Sequence, residues 1–126
     1  MGPLFLLGLA SQQAQWLGAR QQVIAANVAN ANTPGFGAMD LKPFNEVMER
    51  TRVAMSATAS GHIAPGDGGT AANARRSADG WETTLSGNSV SLEQQMLKAG
   101  EVHRALALNT SIVKAFDRMI LQSVKV

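Results

Sequence analysis

The residues able to do chemistry are few and scattered. His62 and His103 are the only two histidines, and neither has a carboxylate pair or a second histidine at ligand spacing, so the sequence offers no recognisable metal site. Ser56, Ser60 and Ser77 lie in low-complexity sequence without the Gly-x-Ser-x-Gly context of a nucleophile elbow. Gly66-Asp67-Gly68-Gly69 is too short for a phosphate loop and follows no strand pattern. With no cysteine there is no thiol nucleophile and no disulfide. The expectation is a protein that is not an enzyme, with no cofactor and no small-molecule substrate.

Charge narrows the partners. Eleven Lys plus Arg against nine Asp plus Glu give a formal charge of +2, spread along the chain without the basic block that phosphate binding requires, so nucleic acid is not indicated. Arg75-Arg76 reads as a solvated pair in a loop, the alternative being contact with an acidic partner surface.

The elements that could position anything lie at the two ends. Positions 7, 10, 14, 17, 21, 24, 28 and 31 read Leu, Ala, Ala, Leu, Gln, Ile, Val and Ala, alternating steps of three and four as a coiled-coil seam does. This predicts a helix over about residues 5–31, its seam flanked by Gln12, Gln13, Gln15, Arg20, Gln22 and Asn27. Flanks of that kind, poor in Lys and Arg, disfavour direct binding to anionic lipid and so the rival reading of a membrane-surface module. The apolar run Leu4-Phe5-Leu6-Leu7 continues the helical pattern, has no preceding Lys or Arg and reads as helix, not as a cleaved leader.

Asn30-Ala31-Asn32-Thr33-Pro34-Gly35-Phe36 must end that helix, since proline excludes the α conformation from its predecessor and Pro34-Gly35 suits the centre of a type II turn. Leu41, Phe44, Val47 and Met48 suggest one or two short helical turns. Residues 54–80 are mostly Ala, Gly, Ser, Thr, Asp and Arg with little to bury and read as a flexible loop.

Ser91-Leu92-Glu93-Gln94 is a capping box, and Leu92, Met96, Ala99, Val102, Leu106, Val113, Phe116, Ile120 and Val124 trace a stripe that predicts a second long helix over 91–124. Glu93 suits the positive end of its dipole. The fold class expected is all-α: two long terminal helices packed as an antiparallel coiled-coil-like pair, joined by an irregular, flexible middle over 32–87, in one domain spanning 1–126. Trp16 and Trp81 are either buried anchors or interface hot spots.

The string Ile24-Ala25-Ala26-Asn27-Val28-Ala29-Asn30-Ala31-Asn32-Thr33-Pro34-Gly35-Phe36 resembles the signature of the flagellar rod and hook axial proteins, in which an N-terminal helix ends in an Asn-rich Thr-Pro-Gly-aromatic turn. Leu41-Lys42-Pro43-Phe44, Gly61-His62-Ile63 and Leu85-Ser86-Gly87-Asn88-Ser89-Val90-Ser91-Leu92-Glu93 narrow the resemblance to the proximal rod, although members carry acidic residues where Ser86 and Ser91 stand here. The resemblance implies a structural subunit that passes through the flagellar type III export channel without a cleaved leader. It would assemble in the periplasm at the rod base with copies of itself, other rod proteins and the ring and export-gate proteins, and help carry torque.

Periodicity gives a physical reason why that role suits the chain, because two helices cannot cover both stripes by themselves. Leu7, Leu17, Ile24, Val28, Leu92, Met96, Leu106, Val113, Phe116 and Ile120 are the expected assembly contacts. Asn27, Asn30 and Asn32 read equally as helix-terminating polar residues or as hydrogen-bonding groups in the assembly. Gly87, Asn88, Val90, Ser91 and Glu93 mark the approach to the second helix.

Overall fold

A computed structural model describes residues 3–55 and 74–125. The order of elements is α1 (Pro3–Ala29), β1 (Met39–Leu41), α2 (Phe44–Met55), β2 (Ala74–Arg76) and α3 (Leu92–Val124). His62, Ser56, Ser60, Gly61 and Ile63, and the Gly66–Gly69 stretch, lie outside the described residues.

Helix α1 opens on Pro3, whose missing N–H falls among the donors a first turn leaves unpaired anyway. It unwinds through the hydrogen bonds from Asn30 N to the carbonyls of Ala26 and Asn27 and from Thr33 N to Asn30 O, 3.0–3.2 Å long. Phe36 N then reaches Thr33 O, closing a turn in which Gly35 takes φ +72°, the left-handed region that its place after Pro34 anticipated.

Helix α3 begins where Ser91, in an extended conformation, accepts a hydrogen bond from Gln94 N on its hydroxyl. Glu93 occupies the first turn, as expected. The reciprocal half of the capping box is replaced: the Gln94 side chain donates to the Asp79 carbonyl.

Side-chain ties from Asn109 to Ala10, Arg20 to Glu101 and Asn27 to Gln95 pair rising α1 numbers with falling α3 numbers, so the helices run antiparallel. Between the ties Leu17, Ile24 and Val102 are buried, with Trp16, Ala99, Ala105 and Leu106 packed around them. This seam is thin, and few large side chains are withdrawn from water along two helices of 27 and 33 residues.

The middle of the chain departs from the expectation twice. Where one or two turns were expected, α2 runs for 12 residues; Pro43 precedes it, its carbonyl takes the first bond from Val47 N, Glu46 sits in the first turn and Phe44 packs on Trp16. Within the stretch expected to be a flexible loop, Ala74–Arg76 form a strand antiparallel to β1, pairing Met39 with Arg76, Asp40 with Arg75 and Leu41 with Ala74, extended by Ser77 N to Ala38 O at 2.8 Å. The fold is therefore helical in its bulk with one two-stranded ribbon. Periodicity missed the ribbon because three-residue strands are too short to show alternation.

Candidate functional site

The chemistry concentrated in the described residues is a hydrogen-bonded joint where the end of α1, the ribbon and the start of α3 meet. Asn27 is at its centre and is fully buried. Its amide nitrogen donates to Met39 O at 2.7 Å and to Gln95 Oε1 at 3.0 Å, and its Oδ1 accepts from Met39 N at 2.9 Å. One asparagine thus pairs with both main-chain groups of β1, as a neighbouring strand would, and touches α3. Its place inside a helix, where propensity offers no reason for it, is explained by those three partners.

Asn88 performs the converse task from the other side. It is buried, donates to the carbonyls of Asn30 and Thr33 at 2.9 and 2.7 Å, and accepts from Val90 N at 2.8 Å. The turn that follows α1 is therefore held by a side chain 58 positions away from Asn30. Around it Gly35 N bonds Ser86 O, Ser89 N bonds Phe36 O and Ala38 N bonds the Ser89 hydroxyl, all at 2.8–3.0 Å. Gly87 takes φ +80°, and a Cβ there would meet Gly35 Cα at 3.5 Å. The two sequence motifs, Asn-rich turn and Gly87-Asn88 approach, are halves of one interlock. Asn30 braces it through Ala26 O and the Thr33 hydroxyl, while Asn32 is exposed.

A charge cluster beneath the joint escaped sequence reasoning. Asp40 on β1 meets Lys98 Nζ at 3.0 Å and Arg20 Nε at 3.3 Å, Arg20 also reaches Glu101 at 3.3 Å, and Lys98 is within 3.5 Å of the Ser77 hydroxyl. Burial pushes the Asp40 carboxyl up, but the Lys98 hydrogen bond, the Arg20 charge and the Leu41 N–H outweigh it and hold the group below the usual carboxylate range. The only local signal was a lysine on a buried helical face, since its partners come from three separate segments. Trp16 completes the cluster as an anchor: its indole N–H donates to Lys42 O at 2.9 Å, Phe44 packs 5.9 Å away and the Arg20 guanidinium lies 5.7 Å over its ring. Trp81 is exposed.

A carboxyl held below its ordinary value stabilises the fold at neutral pH, and that contribution is lost as pH falls through the folded-state value. The melting temperature of the full chain is expected to drop below about pH 4 in a manner that Asp40→Asn flattens. At pH 7 the same variant should lose roughly 1–3 kcal/mol, because Lys98 is left buried without its counter-charge. Melting curves across pH check both statements.

The expected assembly residues divide in two. Leu17 and Ile24 are buried in the seam, Leu106 packs against them, Leu7, Val113 and Phe116 line a groove of about 170 Å³ near the open end of the pair, and Ile120 is partly buried further along α3. Val28, Leu92 and Met96 are not in the seam but exposed. At that end α3 turns Gln94, Gln95 and Lys98 inward, because it faces Asn27 and the ribbon and not an apolar partner. Among the described residues no group of His, Cys, Asp and Glu is placed to hold a metal, and no helix is long and apolar enough to cross a membrane.

Residues 8–36 match the family described as "Flagella basal body rod protein". The "Flagellar basal body rod protein FlgB" of Agrobacterium fabrum is 44% identical over 129 aligned residues, covering 99% of this chain and 96% of the relative. The proteins of the same name from Yersinia ruckeri and Escherichia coli are 44% identical over 52 residues, 35% of this chain and 38% of theirs. A likeness that runs through the first helix, the turn, the ribbon and the second helix alike is a likeness of the whole fold, and on that ground the chain belongs to the FlgB family of flagellar basal body rod proteins.

Proposed function

We propose that this protein is a structural subunit of the flagellar proximal rod, which polymerises with copies of itself and other rod proteins and transmits torque without catalysis. Family membership supports the rod, and one structural observation supports polymerisation: α3 has two apolar faces and only one of them is used. Leu97, Leu108 and Met119 recur every eleven residues, three helical turns apart, with Ile112 beside them. Leu97, Leu108 and Met119 are exposed, Leu108 to 62%, on the side away from Val102, Leu106 and Val113, while Ile112, also exposed, borders the groove lined by Val113 and Phe116. With exposed Leu4, Phe5 and Leu6 on α1, and with Leu92, Met96 and Val28 beside the joint, this is more apolar surface than a solitary small protein leaves wet. Contacts between non-equivalent faces of successive copies generate a helical stack when the rotation does not close.

In this reading the subunit reaches the periplasm through the flagellar export apparatus and stands near the ring and export gate. Charges placed on the unused face separate assembly from folding. Leu108→Asp and Met119→Asp are expected to leave helix content and melting within about 0.5 kcal/mol of wild type, since exposed sites tolerate substitution, yet to abolish incorporation into basal bodies and motility. Ile24→Asp is the poorer probe, because Ile24 is buried and the charge unfolds the chain first. Normal motility with both exposed-face variants would contradict the proposal.

A further inference from the structure

The Arg75-Arg76 pair has no task in the fold. Both side chains are exposed on β2 and neither has an ion-pair partner among the described residues, but their surroundings differ. Arg76 lies across the main chain of Gly37, so close that a Cβ there would stand 2.8 Å from its Nε and 3.1 Å from its Cζ. Gly37 leaves the Arg76 side chain room to lie against the main chain there.

Beside it is a hollow of about 280 Å³, lined by Gly35, Ser77, Thr83, Gly87 and Ser89 as well as Arg76. The wall offers donors. The Ser89 oxygen already accepts from Ala38 N, and the Ser77 oxygen already accepts from Lys98 Nζ and Asp79 N, which leaves each hydroxyl its proton to give. Asp79 and Glu82 are close in sequence, but neither side chain lines the hollow. A guanidinium at the hollow, serine hydroxyls with a proton to give and no carboxylate in the wall make a site complementary to one planar anion, which a guanidinium fork binds through two parallel hydrogen bonds.

We infer that this hollow receives the carboxylate of an acidic side chain from a neighbouring protein subunit. The anionic chemistry follows from the hollow alone. That a protein supplies it rests on the rod reading, so the two parts are tested separately.

In the full-length chain, titration with sodium acetate, against sodium chloride at equal ionic strength, should move the amide NMR signals of Gly37, Gly87 and Ser89 in wild type. Arg76→Ala should abolish those shifts, and Arg75→Ala, which lacks the cradle, should keep them. In cells lacking the native rod subunit, Arg76→Ala should lower incorporation into basal bodies roughly tenfold, the effect of losing one charge-assisted pair. Arg76→Lys should fall between, having charge without the fork. Unmoved amides in wild type overturn the anion site whatever the cells show. Shifts in vitro with Arg76→Ala incorporated as well as wild type overturn the protein carboxylate. Failure of the wild-type chain itself to incorporate counts against the rod reading and leaves the acetate result to decide the site.

Discussion

Asn27→Ala is expected to be the most damaging single truncation in the described residues, lowering the stability of the chain by about 3 kcal/mol, because a buried group that loses its partner forfeits roughly 1–3 kcal/mol. Three groups lose theirs here: the carbonyl and N–H of Met39 and the Oε1 of Gln95. Gln95 is fully buried and its Nε2 already has no partner among the described residues, so the alanine would leave both ends of that amide unsatisfied. Asn27→Asp separates hydrogen bonding from shape. A carboxylate can still accept from Met39 N, but it sets negative charge against the Met39 and Gln95 oxygens, and it should be at least as harmful as alanine. Exposed Asn32→Ala, in the same motif, should fall within about 0.5 kcal/mol of wild type. Thermal and urea melts of the three variants decide the matter, and equal effects at positions 27 and 32 would refute the role assigned to Asn27.

That contrast marks how far the sequence could be read. Short-range features were legible because each obeys a local rule: Ser91 heads a helix, Gly35 follows proline with positive φ, and the three-four spacing puts Leu17, Ile24 and Val102 on inner faces. What failed to show was polar and long-range. Leu92 and Met96 continue the apolar stripe of α3 by count, yet they face outward while Gln95 and Lys98 turn in, because the first turns of α3 lie against an asparagine and an aspartate. Periodicity weighs only how apolar a residue is. A buried glutamine is tolerable only if a particular partner awaits it, here 68 positions away, and no window of one helix contains that fact. The same holds for Asp40, whose two cations come from different helices. The site was thus legible as a set of motifs, and its wiring was not.

Asn88→Ala tests the wiring from the far side and is expected to remove about 1–2 kcal/mol while changing helix ends more than helix middles. In the native chain the Asn88 amide adds a second donor to Asn30 O and Thr33 O, which also accept from Thr33 N and Phe36 N within the turn, and its oxygen holds Val90 N just before α3. Alanine takes away the partner of Val90 N and leaves the two carbonyls only their bonds within the turn. Nearby residues cannot compensate: the Asn30 side chain is committed to Ala26 O and the Thr33 hydroxyl, and Ser89 to Ala38 N. Hydrogen exchange should therefore quicken at residues 30–36 and 86–91 together, since the two turns hold one another through Gly35 N to Ser86 O and Ser89 N to Phe36 O. The amides of Leu17 to Ile24 should slow or quicken only with global stability. Exchange that quickened in one turn and spared the other would mean that they are independent, and that the joint does not tie the end of α1 to the start of α3.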